Sequence, residues 1–476
     1  MNINESLFSV LADILGLSLF SGLRDSLLLG TFKNLVESIS EEKTEDAVFF
    51  SQSNSTLDMV EKWAAFTEAF ISEQKGGSFY LAVAYMAAVD ENAYTLAAEN
   101  LKSPCEGGSA QFLPPVLCAI AKTDLSRLGR IAAFDIPSLG FYIAETCRKS
   151  GLDKIAENIE EESRVFWAAE GKKANAEIAE SLLGVFPENT NWGLALTTYT
   201  EFVRQRGAGL MGLYHFFRWE WTDASISLPP LNPVKNPDPV TLADFAGYQE
   251  QRSLVIANTL RFLEGKPANN LLLYGDRGTG KSATVKAVCN EYVSSGLRLL
   301  EVSKTELGQL PLIMDFLGSR GRRFIIFIDD LSFESMDDSY TGLKALLEGC
   351  VEAKPSNVVI YATSNRRHLV KEEENGARAF DTVEEQISLS DRFGLTVIYS
   401  APDQEEYIKI AEHIARRRGI PVETDPEQFR ENAIRWERWF NGRSPRTAAQ
   451  YVDWIAGGEG LTGNLRIPGN LRFPWE

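Results

Sequence analysis

Cysteine and histidine are scarce in this chain, which has five cysteines and three histidines among its 476 residues. The cysteines form no C-x-x-C pair and their number is odd, so neither a disulfide framework nor a cysteine-based zinc site is expected. We interpret them as buried, reduced thiols. The histidines lie far apart in the sequence, which argues against a histidine-based metal centre.

The chain also lacks an uninterrupted hydrophobic run long enough to cross a bilayer. The most apolar stretch, residues 7–32, is broken by Asp13, Arg24 and Asp25, and only ten uncharged residues separate the first two of these. That is about half of what a transmembrane helix needs. No basic segment precedes the stretch as it would in a signal peptide. The sequence therefore predicts a cytoplasmic protein with no membrane span.

Basic residues are fewer than acidic ones, which gives the chain a formal net charge of −18. Residues 1–230 contain 31 acidic and 18 basic residues, a net charge of −13. Such a balance disfavours non-specific binding to nucleic acid or to an anionic membrane surface. Nucleic acid is therefore not an expected partner, unless a local basic patch provides for it.

Residues 1–227 are predicted to form an all-helical N-terminal domain. Apolar residues recur every three or four positions, as at Val60 and Trp63, which is typical of the buried face of a helix. No group of residues here resembles a catalytic site, and the aromatic segment 214–221 is expected to pack between domains. We expect this domain to recognise a protein partner that the sequence does not name.

Residues 275–282 fit the phosphate-binding pattern G-x-x-x-x-G-K-[ST]. The apolar run 270–274 before them predicts a buried strand, and residues 283–293 after them predict a helix. Three glycines allow the backbone to turn tightly and direct its N–H groups at phosphate oxygens, and the helix adds its positive end. We expect Lys281 to reach the β- and γ-phosphates and Ser282 to bind Mg²⁺. The candidate nucleotide-binding residues of the loop are Gly275, Asp276, Arg277, Gly278, Thr279, Gly280, Lys281 and Ser282.

Strand and helix patterns alternate after residue 240, which predicts an α/β module with a five-stranded parallel sheet covered on both faces. The predicted strands lie near residues 270–274, 297–302, 324–329, 358–364 and 395–400.

Polar residues follow two of these strands. Asp329 and Asp330 come at the end of an apolar strand, at the edge where ligands of parallel sheets bind. Asp329 is placed to hold Mg²⁺ and Asp330 to orient an attacking water, with Glu334 as a lesser candidate for the same work. Asn365 follows the next strand, where an amide can position water beside the γ-phosphate.

The ordered set of these motifs, with Ser390-Asp391-Arg392-Phe393-Gly394 and a late arginine, resembles the AAA+ ATPase superfamily. The box around Arg392 is similar to that of replication initiators and helicase loaders. Over residues 209–455 the chain resembles a bacterial family of AAA+ proteins catalogued as a domain of unknown function. The resemblance implies ATP and Mg²⁺ as cofactors, a homo-oligomer and a small helical lid.

The resemblance also implies roles for particular residues. Asn365 would sense the γ-phosphate, Arg392 would be an arginine finger acting on ATP bound by a neighbouring subunit, and Arg446 would be a second sensor carried by the lid. The pair Arg366-Arg367 competes for the finger role. Tyr248 would belong to the segment that covers the adenine.

Most members of the superfamily carry Glu where this chain has Asp330. A side chain shorter by one methylene is expected to hold the attacking water less well, which predicts slow hydrolysis.

The predicted organisation is an N-terminal domain followed by four further segments. They are a proline-rich linker at 228–239, an AAA+ domain at 240–400, a helical lid at 401–456 and an extended tail at 457–476. The predicted function is slow ATP hydrolysis at a subunit interface, which drives assembly or remodelling of a protein partner. Two alternatives stay open: a DNA-associated initiator or helicase-loader ATPase, and a nucleotide-gated scaffold that does not hydrolyse ATP.

Overall fold

The computed structural model describes ten stretches of the chain. They are residues 3–41, 49–72, 78–101, 113–165, 176–220, 231–331, 354–365, 392–422, 425–439 and 442–457. Contacts between Cα atoms divide the chain into two compact units, Met1–Leu213 and Tyr214–Glu476. The division falls earlier than the end at residue 227 that was expected for the N-terminal domain.

The first unit is helical throughout its described part. Its α-helices are Ile3–Leu15 (α1), Leu27–Glu41 (α2), Phe49–Ser72 (α3), Phe79–Val89 (α4), Ala93–Glu99 (α5), Pro115–Ala132 (α6), Ile136–Lys149 (α7), Asp153–Val165 (α8), Ala176–Val185 (α9) and Leu196–Arg206 (α10), with 3₁₀ turns at Ser21–Asp25, Trp192–Ala195 and Gly209–Gly212. Polar caps fix where some helices begin: the Ser78 hydroxyl accepts from the Leu81 N–H at α4, and Asn92 forms a capping box with Thr95 at α5. Helix α7 packs against α8, and α2 against α3.

The second unit contains one mixed sheet and its covering helices. Its strands are Phe216–Trp219 (β1), Leu231–Pro233 (β2), Leu271–Gly275 (β3), Leu297–Glu301 (β4), Arg323–Ile328 (β5), Val358–Ser364 (β6) and Leu395–Tyr399 (β7). Its α-helices are Gln249–Leu263 (α11), Lys281–Tyr292 (α12), Leu310–Gly318 (α13), Gln404–Arg417 (α14), Pro426–Trp439 (α15) and Pro445–Ala456 (α16), with 3₁₀ turns at Leu242–Asp244, Val293–Ser295 and Lys304–Gln309. No helix in the described part of either unit is both long and apolar enough to cross a membrane.

The strand order is β2-β1-β4-β5-β6-β3-β7. Every neighbouring pair is parallel except β1 and β2. The central strand β5 is an apolar run whose residues Phe324 to Ile328 are all at most 1% exposed, as is typical of a parallel strand covered on both faces. The α/β fold with a phosphate loop and a helical lid, which the AAA+ resemblance implied, is confirmed.

The predicted count of five strands was too low, because β1 and β2 extend the sheet beyond β4. Strand β1 lies in the aromatic segment that was expected to pack between domains; there Phe216, Phe217 and Trp219 are buried while Arg218 is exposed. Strand β2 lies in the segment expected to be a linker. Pro233 fits the end of this short edge strand because such a position needs no further N–H for the sheet.

The three helices of the lid, α14 to α16, have an apolar core of their own. Its large side chains include Tyr407, Phe429, Trp436 and Tyr451. Residues of the segment before α11, among them Tyr248, pack against this core and also against the core of the sheet. The lid and the sheet are therefore joined through that segment.

Candidate functional site

The loop between β3 and α12 turns at three glycines. Gly275, Gly278 and Gly280 have φ angles of +137°, +76° and +91°, a backbone region that other residues rarely adopt. At Gly275 a Cβ atom would lie 2.1 Å from the carbonyl oxygen of Tyr399. The Asp276 N–H donates to the same carbonyl at 2.9 Å. Glycine is required here because the loop is held directly against β7.

The ammonium group of Lys281 lies inside this loop. Its Nζ donates to the carbonyl oxygens of Gly275 (2.9 Å) and Asp276 (2.7 Å), and to Oδ1 of Asn365 at 3.1 Å. Burial lowers the pKa of Lys281, although the nearby carboxylates of Asp276 and Asp329 act in the opposite direction. The structure thus brings the lysine of the loop and the asparagine at the end of β6 together.

Ser282, Asp329 and Thr363 meet at one carboxylate oxygen. The Ser282 hydroxyl donates to Oδ1 of Asp329 at 2.6 Å, and the Thr363 hydroxyl donates to the same atom at 2.5 Å. The two residues predicted to bind Mg²⁺ therefore lie in direct contact, although 47 residues separate them in the chain.

Asp330 has a positive φ of +50°, which Asp tolerates better than most residues. Its Oδ1 accepts from Nδ2 of Asn365 at 2.7 Å, and its Oδ2 lies 3.7 Å from Nζ of Lys304. The residues predicted to orient water and to sense the γ-phosphate are therefore hydrogen-bonded to each other.

The lid reaches the loop through the first turn of α16. The Arg446 N–H donates to the carbonyl oxygen of Gly278 at 3.1 Å. A Cβ atom at Gly278 would lie 2.9 Å from the Ser444 hydroxyl oxygen and 3.1 Å from Cβ of Arg446. The lid packs so closely here that a side chain at position 278 would push it away.

A cavity of about 820 Å³ lies between the loop, the strand ends and the lid. It is lined beside the phosphate loop by the polar residues already described, including Arg446. The rest of the lining consists of the charged side chains of Asp238, Asp244 and Lys286 and of an apolar wall formed by Val240, Phe245 and Ile414. Its size is in the range of cavities that hold small molecules. A polar end beside the phosphate loop and an apolar wall match the two chemically different parts of a nucleotide.

Tyr248 does not line this cavity. Its hydroxyl donates to the carbonyl oxygen of Ser400 at 2.6 Å, and its ring stacks on that of Tyr399 with 5.2 Å between centroids. Phe245, three residues earlier, provides the aromatic side chain of the cavity wall. The cavity is thus lined by a residue of the segment predicted to cover the adenine, but by Phe245 rather than by Tyr248, whose left-handed backbone (φ +51°) precedes α11. The role of Tyr248 stays a prediction.

Arg392 lies at the opposite edge of the sheet from the phosphate loop. It precedes β7 by three residues, and Leu395 at the start of β7 pairs with Leu271 at the start of β3. The loop follows the other end of β3, where Gly275 pairs with Tyr399. Four strand residues at ~3.3 Å each separate the two edges by about 13 Å. Arg392 is not among the residues that line the cavity of its own chain.

The remaining predicted loop residues have structural contacts. The Asp276 carboxylate accepts from the Ala401 N–H at 2.6 Å, the Thr279 hydroxyl donates to the Asp276 carbonyl at 2.8 Å, and Arg277 lines the cavity. Glu334 and the pair Arg366-Arg367 lie outside the described residues.

Sequence reasoning missed Thr363, Phe245 and Ile414. Thr363 had a usable signal, since a residue two before Asn365 in a strand points to the same face. Ile414 had none, because the contact between lid and cavity depends on the tertiary structure.

The side chains of the cavity fit a nucleotide with Mg²⁺. Hydroxyl and carboxylate oxygens are the ligands that Mg²⁺ prefers, and Ser282 and Asp329 supply one of each. The N–H groups of the loop and the start of α12 lie where they can bind phosphate.

Residues 213–459, just over half of the chain, match the profile of a protein family described as protein of unknown function (DUF815). The chain belongs to this family. The DUF815 match covers the second unit of the structure almost completely. The residues that define the family are therefore those that form the sheet, the lid and the candidate site.

Other comparisons are more distant. The chain is 32% identical over 123 residues to the 26S proteasome regulatory subunit 6B homolog of Schizosaccharomyces pombe, a match that covers 23% of this chain and 31% of that protein. Solved structures of Thermotoga maritima RuvB are also similar to this chain. A single-residue variant of RuvB and the structure described as a Holliday junction branch migration motor each have a TM-score of 0.33, with 17% and 16% identity, and each match covers 46% of this chain and 65% of the RuvB chain. This chain spans less than two thirds of each of these relatives.

Proposed function

We propose that this DUF815 protein binds ATP with Mg²⁺ and hydrolyses it. The observation that carries the proposal is that residues following β3, β5 and β6 meet at the carboxylate of Asp329 and the ammonium group of Lys281. Asp329 accepts from Ser282 of the phosphate loop, and Lys281 of the same loop donates to Asn365. A glycine-rich loop that merely joined a strand to a helix would not need these partners.

Each residue has a separate task in this proposal. Lys281 exchanges its carbonyl partners for phosphate oxygens, which its three N–H donors can bind. Ser282 and Asp329 hold Mg²⁺, which would supply charge neutralisation of the phosphates. Asp330 accepts a proton from the attacking water, and Asn365, whose amide already contacts that carboxylate, holds the water in line. Arg446, on the lid, binds phosphate from the opposite side.

The apolar wall would bind the base. Phe245 offers an aromatic face, and Arg252 lies behind it with its guanidinium carbon 5.2 Å from the ring centroid. The segment that carries Phe245 is tied to the lid because the Asp244 carboxylate pairs with Arg417 at 2.7 Å. Bound nucleotide would therefore touch the sheet and the lid at once, which makes lid position sensitive to occupancy.

Arg392 would complete the site of a neighbouring subunit. Its position at the far edge of the sheet supports this assignment, because the two edges lie about 13 Å apart and Arg392 is not among the residues that line the cavity. Hydrolysis would then require an oligomer. We further propose that the reaction is slow, since Asp330 is a methylene shorter than Glu, and that the helical first unit recognises the protein whose assembly or remodelling it drives.

The proposal is tested by phosphate release from ATP over a range of protein concentrations, with equilibrium ATP binding measured on the same samples. Lys281→Ala should lose ATP binding and with it hydrolysis, on the order of a hundredfold or more. Asp330→Asn should keep ATP binding and lose hydrolysis, because an amide cannot accept the proton. Lys266→Ala is the matched control, since Lys266 pairs with Glu264 on the surface.

Wild-type activity per subunit should rise with concentration if the site is shared. ATP binding without phosphate release at any concentration would contradict hydrolysis and favour a nucleotide-gated scaffold. Equal ATP binding by wild type and Lys281→Ala would overturn the nucleotide site itself.

A further inference from the structure

Thr363 joins the two acidic residues of the site through a single hydroxyl group. The hydroxyl donates to Oδ1 of Asp329 at 2.5 Å and accepts from the Asp330 N–H at 2.9 Å. The Thr363 carbonyl oxygen also accepts from the Leu331 N–H at 2.6 Å. Three consecutive residues after β5 are therefore held by one residue near the end of β6.

The environment makes these hydrogen bonds energetically important. Thr363 is only 2% exposed, so its hydroxyl cannot replace the bonds with solvent contacts. A hydroxyl has one proton to donate, and here that proton is committed to a carboxylate. Hydrogen bonds to charged groups are stronger than those between neutral groups. The contact is thus a fixed feature of the site rather than one of several alternatives.

The hydroxyl also determines which way the Asp329 carboxylate faces. Its Oδ1 accepts from Ser282, from Thr363 and, at 3.2 Å, from the Asp330 N–H. Within the described part of the chain, Oδ2 accepts no hydrogen bond, and Asp329 lines the cavity. Three donors on one oxygen leave the other oxygen to serve a ligand in the cavity.

The same hydroxyl supports the unusual backbone of Asp330. A non-glycine residue with positive φ persists where its surroundings fix it. The Asp330 N–H is held by Oγ1 of Thr363 and by Oδ1 of Asp329. The direction in which the Asp330 carboxylate leaves the chain, toward Asn365, therefore depends on Thr363.

We propose that Thr363 is a positioning residue that orients Asp329 for Mg²⁺ and Asp330 for water. The inference rests on the proposed function for the identity of the ligand of Asp329. Thr363 is among the residues that line the cavity, but its hydroxyl is already bonded to both aspartates, so in this proposal it acts through them rather than as a ligand of the metal or the nucleotide.

The test compares Thr363→Val, which keeps the shape of the side chain and removes its hydroxyl, with Thr363→Ser, which keeps the hydroxyl. Binding of the non-hydrolysable analogue AMP-PNP is measured in EDTA and during a Mg²⁺ titration. Loss of a group that orients a metal ligand typically weakens metal affinity by ten- to a hundredfold. Thr363→Val should therefore need about tenfold more Mg²⁺, with AMP-PNP binding in EDTA unchanged. Thr363→Ser should titrate within a few-fold of wild type.

Two results would overturn the inference. One is a Mg²⁺ titration of Thr363→Val that matches wild type. The other is a Thr363→Ser protein as impaired as Thr363→Val, because that outcome assigns the effect to packing.

A second measurement needs neither nucleotide nor metal. In a double-mutant cycle, urea unfolding is compared for wild type, Thr363→Val, Asp329→Ala and the double variant. A buried hydrogen bond to a carboxylate should couple the two sites by about tenfold in the unfolding equilibrium. Additive effects would overturn the positioning role. If wild type binds AMP-PNP no better with Mg²⁺ than without it, the proposed function fails, and the cycle alone decides whether Thr363 holds Asp329.

Discussion

The two units of the chain use hydrogen-bonded carboxylates in opposite ways. In the first unit, the fully buried carboxylate of Asp124 accepts from the N–H groups of Ser18 and Leu19, both at 2.8 Å, and pairs with Arg127 at 3.1 Å. All of these partners are parts of the fold. In the second unit, Asp329 also accepts several hydrogen bonds, but all of them fall on one oxygen and the residue lines a cavity.

This difference separates structural acids from candidate functional ones. Both carboxylates accept several hydrogen bonds, so the number of bonds does not distinguish them. What distinguishes them is whether an oxygen is left facing a space that a ligand can enter. By that criterion the carboxyl edge of the sheet is the candidate site, and Asp124 stabilises the turn after α1.

The largest expected effect concerns Arg392. It tests whether the candidate site of the second unit needs an arginine from another subunit. Arg392→Ala should bind ATP normally and hydrolyse it about a thousandfold more slowly, since arginine fingers contribute at least that much. Mixing Arg392→Ala with Asp330→Asn, each inactive alone, should restore activity, because one subunit supplies the arginine and the other the intact aspartate. Phosphate release from the mixture is the measurement.

Arg435→Ala is the control for that experiment, because Arg435 pairs with Glu431 on the surface of α15 and should leave activity unchanged. If the mixture stays inactive while Arg392→Ala alone is impaired, Arg392 does not act between subunits. The second unit would then have to complete its site with residues of the same chain.

The position of the candidate site in the second unit was predictable from the sequence because its signals are local. An apolar run such as Leu271 to Leu273 followed by a glycine-rich loop predicts a strand and a candidate phosphate site within a dozen residues. Asp329 follows an apolar strand in the same way. Parallel strands place such ends at one edge of the sheet, and the 2.6 Å contact of Asp329 with Ser282 follows from that rule.

The features that escaped prediction depend on pairing between distant parts of the chain. Strand β1 has only four residues, and its parallel partner β4 lies about 80 residues later, with Phe216 opposite Leu299. Nothing within the aromatic segment identifies that partner. The contact of Phe245 with the cavity likewise depends on where the lid holds the segment, as the Asp244 and Arg417 pair shows. The first unit carried no motif, so only its helical content could be predicted.

A smaller effect is expected when the buried acid of the first unit is removed. Asp124→Ala should lower the free energy of unfolding by about 3 kcal/mol, because it removes the ion-pair partner of Arg127 and the acceptor of the N–H groups of Ser18, Leu19 and Phe20. ATP binding should not change. Urea unfolding of the full chain, paired with an ATP titration, measures both.

Asp58→Ala provides the matched comparison, since the Asp58 side chain is 51% exposed and pairs with Lys62 within one helix. It should cost no more than about 0.5 kcal/mol. A fall in ATP affinity of folded Asp124→Ala would contradict the division between structural and functional acids.

A further predicted effect, at most as large as that of Asp124→Ala, concerns pH. Burial raises the pKa of Asp90, at the end of α4, from 3.8 to about 6; the hydrogen bond from Asn92 lowers it and the charge of Glu91 raises it further. Between these pH values the native state holds a proton that the unfolded chain has released. The contribution of Asp90 to the free energy of unfolding should therefore be highest below pH 4. It should decrease by at most about 3 kcal/mol as the pH rises to 6.

Asp90→Asn should remove this dependence, because the amide stays neutral. The quantity to measure is the difference in unfolding free energy between wild type and Asp90→Asn at several pH values from 4 to 7, in which contributions from other titrating groups cancel. That difference should favour the variant increasingly up to pH 6 and then stay constant. A difference independent of pH would mean that Asp90 ionises equally in both states. Asp90 would then behave like an exposed surface acid, and its burial would not disfavour the charged form of its carboxyl group.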